Sequence, residues 1–278
     1  MIGRLLQLRN INTGLIRPEE IARKMIGSAE ISQLDEYENV WRKWFANRKQ
    51  YNHVIVDRKC SGALTGLFVL QSCLASGSGP AYFIVPRPHM IPAIVQKAHL
   101  FGIKAVNSED SSLKQDFSKI QVASIRNAFR NIRGTGIVFV DDAGDCAAEA
   151  INMYSLNIPS YSSLYSEISD LLCGRRPSAG DDACDVSRAK WIASCQAIRM
   201  MLQEYKEFDS LYVRIDSLDD MLEKCTCTIT NESVMIAPAV IDPDKTGIIA
   251  SSRHRVFFVS QSDQIKKLAQ AFGNPKEQ

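Results

Sequence analysis

Between residues 51 and 145 the chain alternates short β-branched runs with longer segments of helical period, and this alternation leaves few folds open. His53, Val54, Ile55 and Val56 form the first run; Ala81, Tyr82, Phe83, Ile84 and Val85 form the second. Gly136, Ile137, Val138, Phe139 and Val140 make the best strand pattern in the chain, and it ends in Asp141 and Asp142. Runs this short and this apolar belong to buried strands. Helical periodicity separates them at 64–75 and 91–101, with weaker strand signals at 103–106 and 122–125. Strands alternating with helices at this spacing predict βαβ units and a parallel sheet. Ligands of such sheets bind beyond the carboxyl ends of the strands. The turn after Val56 and the acids after Val140 both stand at such ends.

The flanks carry other patterns. A helix is expected at 17–27 and a second at 32–48, whose Leu34, Tyr37, Val40, Trp41, Trp44 and Phe45 recur at helical spacing and read as a packing face. Beyond 145 the pattern predicts helices at 147–154, 162–172, 187–208 and 262–272. Strands are expected at 211–215, 225–229, 233–236 and 255–260, and a polar loop at 174–185. The 187–208 helix has an apolar stripe of Trp191, Ile192, Cys195, Ile198, Leu202 and Tyr205. The organisation is thus a helical segment at 1–50, an α/β core at 51–160, and helices and short strands at 161–278. This last α+β region either completes the same domain or stands apart.

Composition narrows the function classes. Of the 278 residues, 45% are apolar and 23% charged, which suits a globular chain and not a disordered one. The formal charge of +2 leaves nucleic-acid binding to a local patch, not to the chain as a whole. Arg126, Arg130 and Arg133, with Lys119, form such a cluster. Asp181, Asp182 and Asp185 read as solvated loop acids. The eight cysteines are irregularly spaced and the four histidines make no metal spacing, so neither predicts a zinc site. Cys60, Cys73 and Cys195 sit in apolar patterns and read as core thiols, which favours a reducing compartment. No run approaches the roughly 18 apolar residues of a membrane span, and the first residues lack a signal-peptide pattern. The expectation is a soluble intracellular protein, cytoplasmic or virus-associated, and not secreted.

The turn after the first strand carries the functional reading. A phosphate loop follows a buried strand and opens a helix. Its glycines let backbone amides converge on phosphate, a Lys reaches the outer phosphates, and the next Ser or Thr holds magnesium. Here the turn reads Asp57, Arg58, Lys59, Cys60, Ser61, Gly62, Ala63, Leu64, Thr65. The strand–turn–helix setting is right. Ala63, however, stands in the place of the Lys, and Leu64 in the place of the Ser or Thr.

This string, with the Tyr82-to-Arg87 strand and loop and the Ile137-to-Asp142 strand, resembles the helicase-like ATPases, above all the motor subunits of viral DNA-packaging terminases. The resemblance covers about a third of the chain and implies a RecA- or helicase-like P-loop NTPase sheet flanked by helices. It implies that Arg58, Lys59, Ser61, Gly62 and Thr65 contact phosphates. Asp141 would then hold magnesium and Asp142 would orient the attacking water, with magnesium and ATP as cofactors. Losing the loop Lys removes the main point charge on a transferring phosphate. Two readings follow. One is a degenerate P-loop protein that binds nucleotide, nucleic acid or both, with ATP hydrolysis left open. The other is an inactive assembly protein that keeps the fold and works through a protein partner or a second copy of itself.

Overall fold

The structure is a computed structural model. It describes residues 17–47, 52–56, 61–75, 77, 79–110, 116–130, 136–175, 177–178, 180–181, 183–205, 222–241, 249 and 252–272, without the side chains of 47, 52, 53, 130, 263 and 266. Arg58, Lys59, Arg133, Asp182 and the strand expected at 211–215 lie outside the described residues. The chain divides into two compact units, Met1–Cys146 with Pro243–Leu268 and Asn274–Gln278, and Ala147–Asp242 with Ala269–Gly273.

The first unit begins with helices α1 (Pro18–Met25) and α2 (Leu34–Asn47). Pro18 at its start and Glu19 and Glu20 in its first turn favour α1, because the ring presets the helical φ and the acids complement the helix dipole. Strand β1 (Asn52–Val56) follows, then α3 (Gly62–Ala75), β2 (Ala81–Val85), α4 (Ile91–Leu100), β3 (Ala105–Asn107), β4 (Ile120–Ser124), α5 (Ile125–Arg130) and β5 (Ile137–Val140). The chain continues with α6 (Ala143–Met153), and much later with β10 (His254–Val259). Among the described residues these strands form a six-stranded sheet in the order β1-β10-β5-β2-β4-β3, and every pairing in it is parallel. This is the parallel α/β sheet flanked by helices that the alternating pattern predicts.

Helix α3 explains how the sheet is covered. Leu64, Leu67, Phe68, Val69, Leu70 and Cys73 leave it no polar face, and all are buried. A helix that is apolar all round has to be enclosed. It shares one core with Phe83, Phe139 and Phe258 of the sheet and with Tyr37, Val40, Trp41 and Trp44 of α2. The rings of Phe83 and Phe139 lie 5.5 Å apart and those of Phe139 and Phe258 6.3 Å apart, within the range of favourable aromatic pairs. Each such ring contributes about 1.5–3 kcal/mol by leaving water. The aromatic stripe of 32–48 is therefore the packing face that its spacing indicates.

The second unit is built differently. Strands β6 (Leu156–Pro159), β7 (Cys184–Asp185), β8 (Cys225–Ile229) and β9 (Ser233–Pro238) pair antiparallel in the order β6-β9-β8-β7. Helices α7 (Ser163–Cys173) and α8 (Arg188–Glu204) share its core. Trp191 of α8 is buried, and its indole N–H donates to the Leu222 carbonyl at 2.9 Å. Cys195, Ile198 and Leu202 follow it into this core. Ile192, counted in the same stripe from sequence, is 49% exposed instead. Adjacent helical residues are about 100° apart around the axis, so one of the pair has to turn away. Helix α9 (Ile265–Phe272) lies near the end of the chain.

Candidate functional site

The turn that leads into α3 and the end of β5 meet at one point. The first helical bond of α3 runs from the Thr65 amide to the Ser61 carbonyl at 3.1 Å. The amides of Gly62, Ala63 and Leu64 therefore precede the intrahelical ladder, at the positive end of a 14-residue helix. A Cβ on Gly62 would run into Oδ1 of Asp141 and lie 2.7 Å from the Phe258 ring. The carboxylate of Asp141 thus rests against the α-carbon of Gly62, and only glycine leaves it that space.

Asp141 reaches this position because β5 has ended. Its amide donates to the Ile84 carbonyl at 2.9 Å, one step beyond the β2–β5 register. The chain then turns at Asp142, which takes the left-handed conformation with φ 44. That conformation is uncommon outside glycine, and Asp tolerates it better than most. The turn aims the Asp142 amide back at Oδ1 of Asp141, 3.1 Å away. The carbonyl of Asp142 then accepts from the amides of Asp145 and Cys146 at 2.9 and 3.0 Å, which starts α6.

The electrostatics of the pair follow from this enclosure. Burial, and next the neighbouring Asp142 carboxylate, push the Asp141 carboxyl up to about 7, while the Asp142 amide and Lys97 pull the other way. Lys97 is itself engaged by Glu30 at 3.0 Å. Burial, and next Asp145, also raise Asp142. A carboxylate is a hard oxygen donor, and a bound divalent cation would offset the cost of desolvating it.

The sequence candidates separate into groups. Gly62 and Asp141 touch. Thr65 is buried, and its hydroxyl donates to the Ser61 carbonyl at 3.1 Å. Asp142 contributes its amide to Asp141. Arg126 is exposed in the first turn of α5, directly after the buried β4. Arg130 ends α5. Lys119 is engaged by Asp116 at 3.0 Å.

Tyr37 was not legible as part of this site. The Ser61 amide donates to its hydroxyl at 2.9 Å, so α2 holds the entry to α3. Its sequence position reads only as packing, but a buried tyrosine needs a partner for its hydroxyl, and that was the available signal. Tyr37→Phe removes the acceptor from the Ser61 amide. It is expected to lower stability by about 1 kcal/mol in urea unfolding; an unchanged midpoint would show that the phenol does not hold the turn.

No family model and no curated protein matches the chain. A solved structure titled XPD, apo form, is similar at a TM-score of 0.42 and 11% identity, over 87% of this chain and 56% of that one. The chain thus spans about half the length of that structure, and a likeness of this size bears on no residue's role.

Proposed function

We propose that the first unit is a nucleotide-binding domain of P-loop type that takes a magnesium–nucleotide at the Gly62 turn and holds it with little or no turnover. The observation that carries this reading is the Asp141 carboxylate set against Gly62 at the head of α3. A helix N-terminus favours a phosphate, and a glycine there permits backbone approach. An adjacent half-buried carboxylate supplies a hard oxygen ligand for magnesium. Asp141 would hold the metal and the amides of Gly62, Ala63 and Leu64 would face phosphate oxygens. Bound magnesium would neutralise phosphate charge. Arg126 is the candidate for nucleic-acid phosphates whose side chain is described, with Arg130 and Arg133 as candidates from the sequence.

Isothermal titration of the full chain with magnesium-ATP tests the reading. Heat should saturate below about 1 mM nucleotide, and Asp141→Ala should weaken binding at least about tenfold, or ~1.4 kcal/mol. Binding should also weaken below pH 7, where Asp141 takes up a proton that the metal must displace. A folded protein that gives no heat would sink the reading. The same titration with a single-stranded oligonucleotide reads the nucleic-acid half.

One observation favours the second reading, an interaction protein that keeps the fold. Ala63 and Leu64 occupy the places of the catalytic Lys and the metal-binding Ser or Thr, and the Thr65 hydroxyl is engaged by its own helix. Steady ATP turnover that Asp141→Ala abolishes would exclude it.

A further inference from the structure

The second unit places two thiols side by side that the sequence sets 11 residues apart. Cys173 is the last residue of α7, and Gly174 ends that helix in the left-handed conformation, with its amide on the Asp170 carbonyl at 3.0 Å. Cys184 opens β7 opposite Ile229 of β8. Their Sγ atoms stand 3.0 Å apart. A disulfide requires about 2.05 Å, so closure asks for a movement of about 1 Å. Both residues are partly exposed, whereas Cys195, Cys225 and Cys227 of the same core are buried.

Strand β7 gives the pair a structural role. It is two residues long and, among the described residues, sits at the edge of its sheet, held by the pairs Cys184–Ile229 and Asp185–Thr228. The Thr228 hydroxyl donates to Asp185 at 2.9 Å and the Val186 amide donates to the Cys227 carbonyl at 3.1 Å. The segment between the thiols is polar, with Arg175 engaging Asp181 at 3.4 Å.

We infer that Cys173 and Cys184 form a reversible disulfide that ties the end of α7 to the edge strand β7 and closes residues 174–183 into a loop. This inference is independent of the nucleotide site. The oxidant is a low-molecular-weight disulfide of the glutathione class. One protein thiolate attacks a sulfur of that disulfide, breaks its S–S bond and releases one small thiolate, leaving a mixed disulfide on the protein. The second protein thiolate attacks the protein-side sulfur, forms the internal S–S bond and releases the other small thiolate. Two electrons pass to the oxidant, and the two protons of the protein thiols end on the two released thiols. In a reducing compartment the pair rests as the dithiol. Burial, and next Cys184, push the Cys173 thiol up to about 11, which makes the exchange slow at neutral pH. Burial, and next the surrounding thiols, push Cys227 up to about 12, which suits it as a bystander.

The test uses the full chain equilibrated with reduced and oxidised glutathione, quenched in acid, alkylated and mapped by mass spectrometry without reduction. The expected result is a cross-linked peptide pair carrying Cys173 and Cys184 that disappears with dithiothreitol. The unfolding midpoint of the oxidised protein should fall by several degrees on reduction. Reductant should leave the midpoint of Cys173→Ser and of Cys184→Ser unmoved, while Cys227→Ser should keep the full response. Full alkylation of both thiols at every glutathione ratio would overturn the inference. So would a link from either thiol to Cys227, or protection of both by a co-purifying metal ion instead of a bond.

Discussion

Asp141→Asn is expected to stabilise the ligand-free protein at pH 8 by about 2–4 kcal/mol, and at the same time to abolish magnesium-dependent nucleotide binding. The carboxyl stands at about 7 in the folded protein against 3.8 for the free group. That gap of about 3 units is a ceiling of about 4 kcal/mol. The positive end of α3 and the residue's remaining exposure act against it, which sets the lower figure. The sign follows from proton counting. Between pH 4 and 7 the folded chain keeps a proton that the unfolded chain has lost, so the native protein loses stability as pH rises through that window. The full cost is present above pH 7 and vanishes below 4. Asparagine carries no such charge. Urea unfolding at pH 5 and pH 8 should therefore show the variant's advantage growing with pH. An advantage of equal size at both values would mean that Asp141 does not titrate in that range. A variant that gains stability and loses binding also separates the site's role from a folding defect.

Gly136→Ala is expected to cost about 3 kcal/mol or more. A Cβ there would fall on the carbonyl oxygen of Pro80 and lie 2.9 Å from its nitrogen. Both obstacles are backbone and cannot rotate aside as a side-chain tip does. The site of the clash is also where three strands start together. The Ile137 amide donates to the Pro80 carbonyl at 2.9 Å, and the Arg253 amide donates to the Gly136 carbonyl at 2.9 Å. Relief of the overlap pulls on both bonds, and with them on the alignment of β2, β5 and β10. Chemical denaturation reads the effect directly, and a loss below about 1 kcal/mol would mean that the strand starts relax without consequence.

Strands β2 and β5 were legible because each is a short, fully apolar run, whereas the run at 53–56, read as a buried strand, stands at the end of the described sheet order with Val54 and Ile55 half-buried and Val56 46% exposed. Ala81–Val85 is buried at every position, as its composition indicates. The contact between Gly62 and Asp141 was legible in outline, since both stand at the carboxyl ends of parallel strands. What the sequence does not carry is the order of strands across the sheet. Nothing in the pattern at 255–260 says that this strand enters between β1 and β5. Strands β6 and β7 escaped for a different reason: four residues ending in Pro159 and two residues at an edge are too short for a period to show. The meeting of Cys173 with Cys184 depends on how α7 lies on its sheet, and the bond from Ser61 to Tyr37 on how α2 lies on α3. Residue spacing encodes neither. The apolar face of 187–208 was legible except at Ile192, where neighbouring apolar residues compete for one side of a helix.

The place of β10 has a consequence for how the molecule comes into being. The described pairings of β1 are with β10 and those of β10 are with β1 and β5. A nascent chain emerging from the ribosome can assemble β2, β4 and β5 early, but β1 waits for a partner translated some two hundred residues later. Loop closure over that separation is slow compared with local contacts. Until it occurs β1 has no described strand beside it, and the Gly62 turn is joined to the rest of the sheet through the packing of α3 alone.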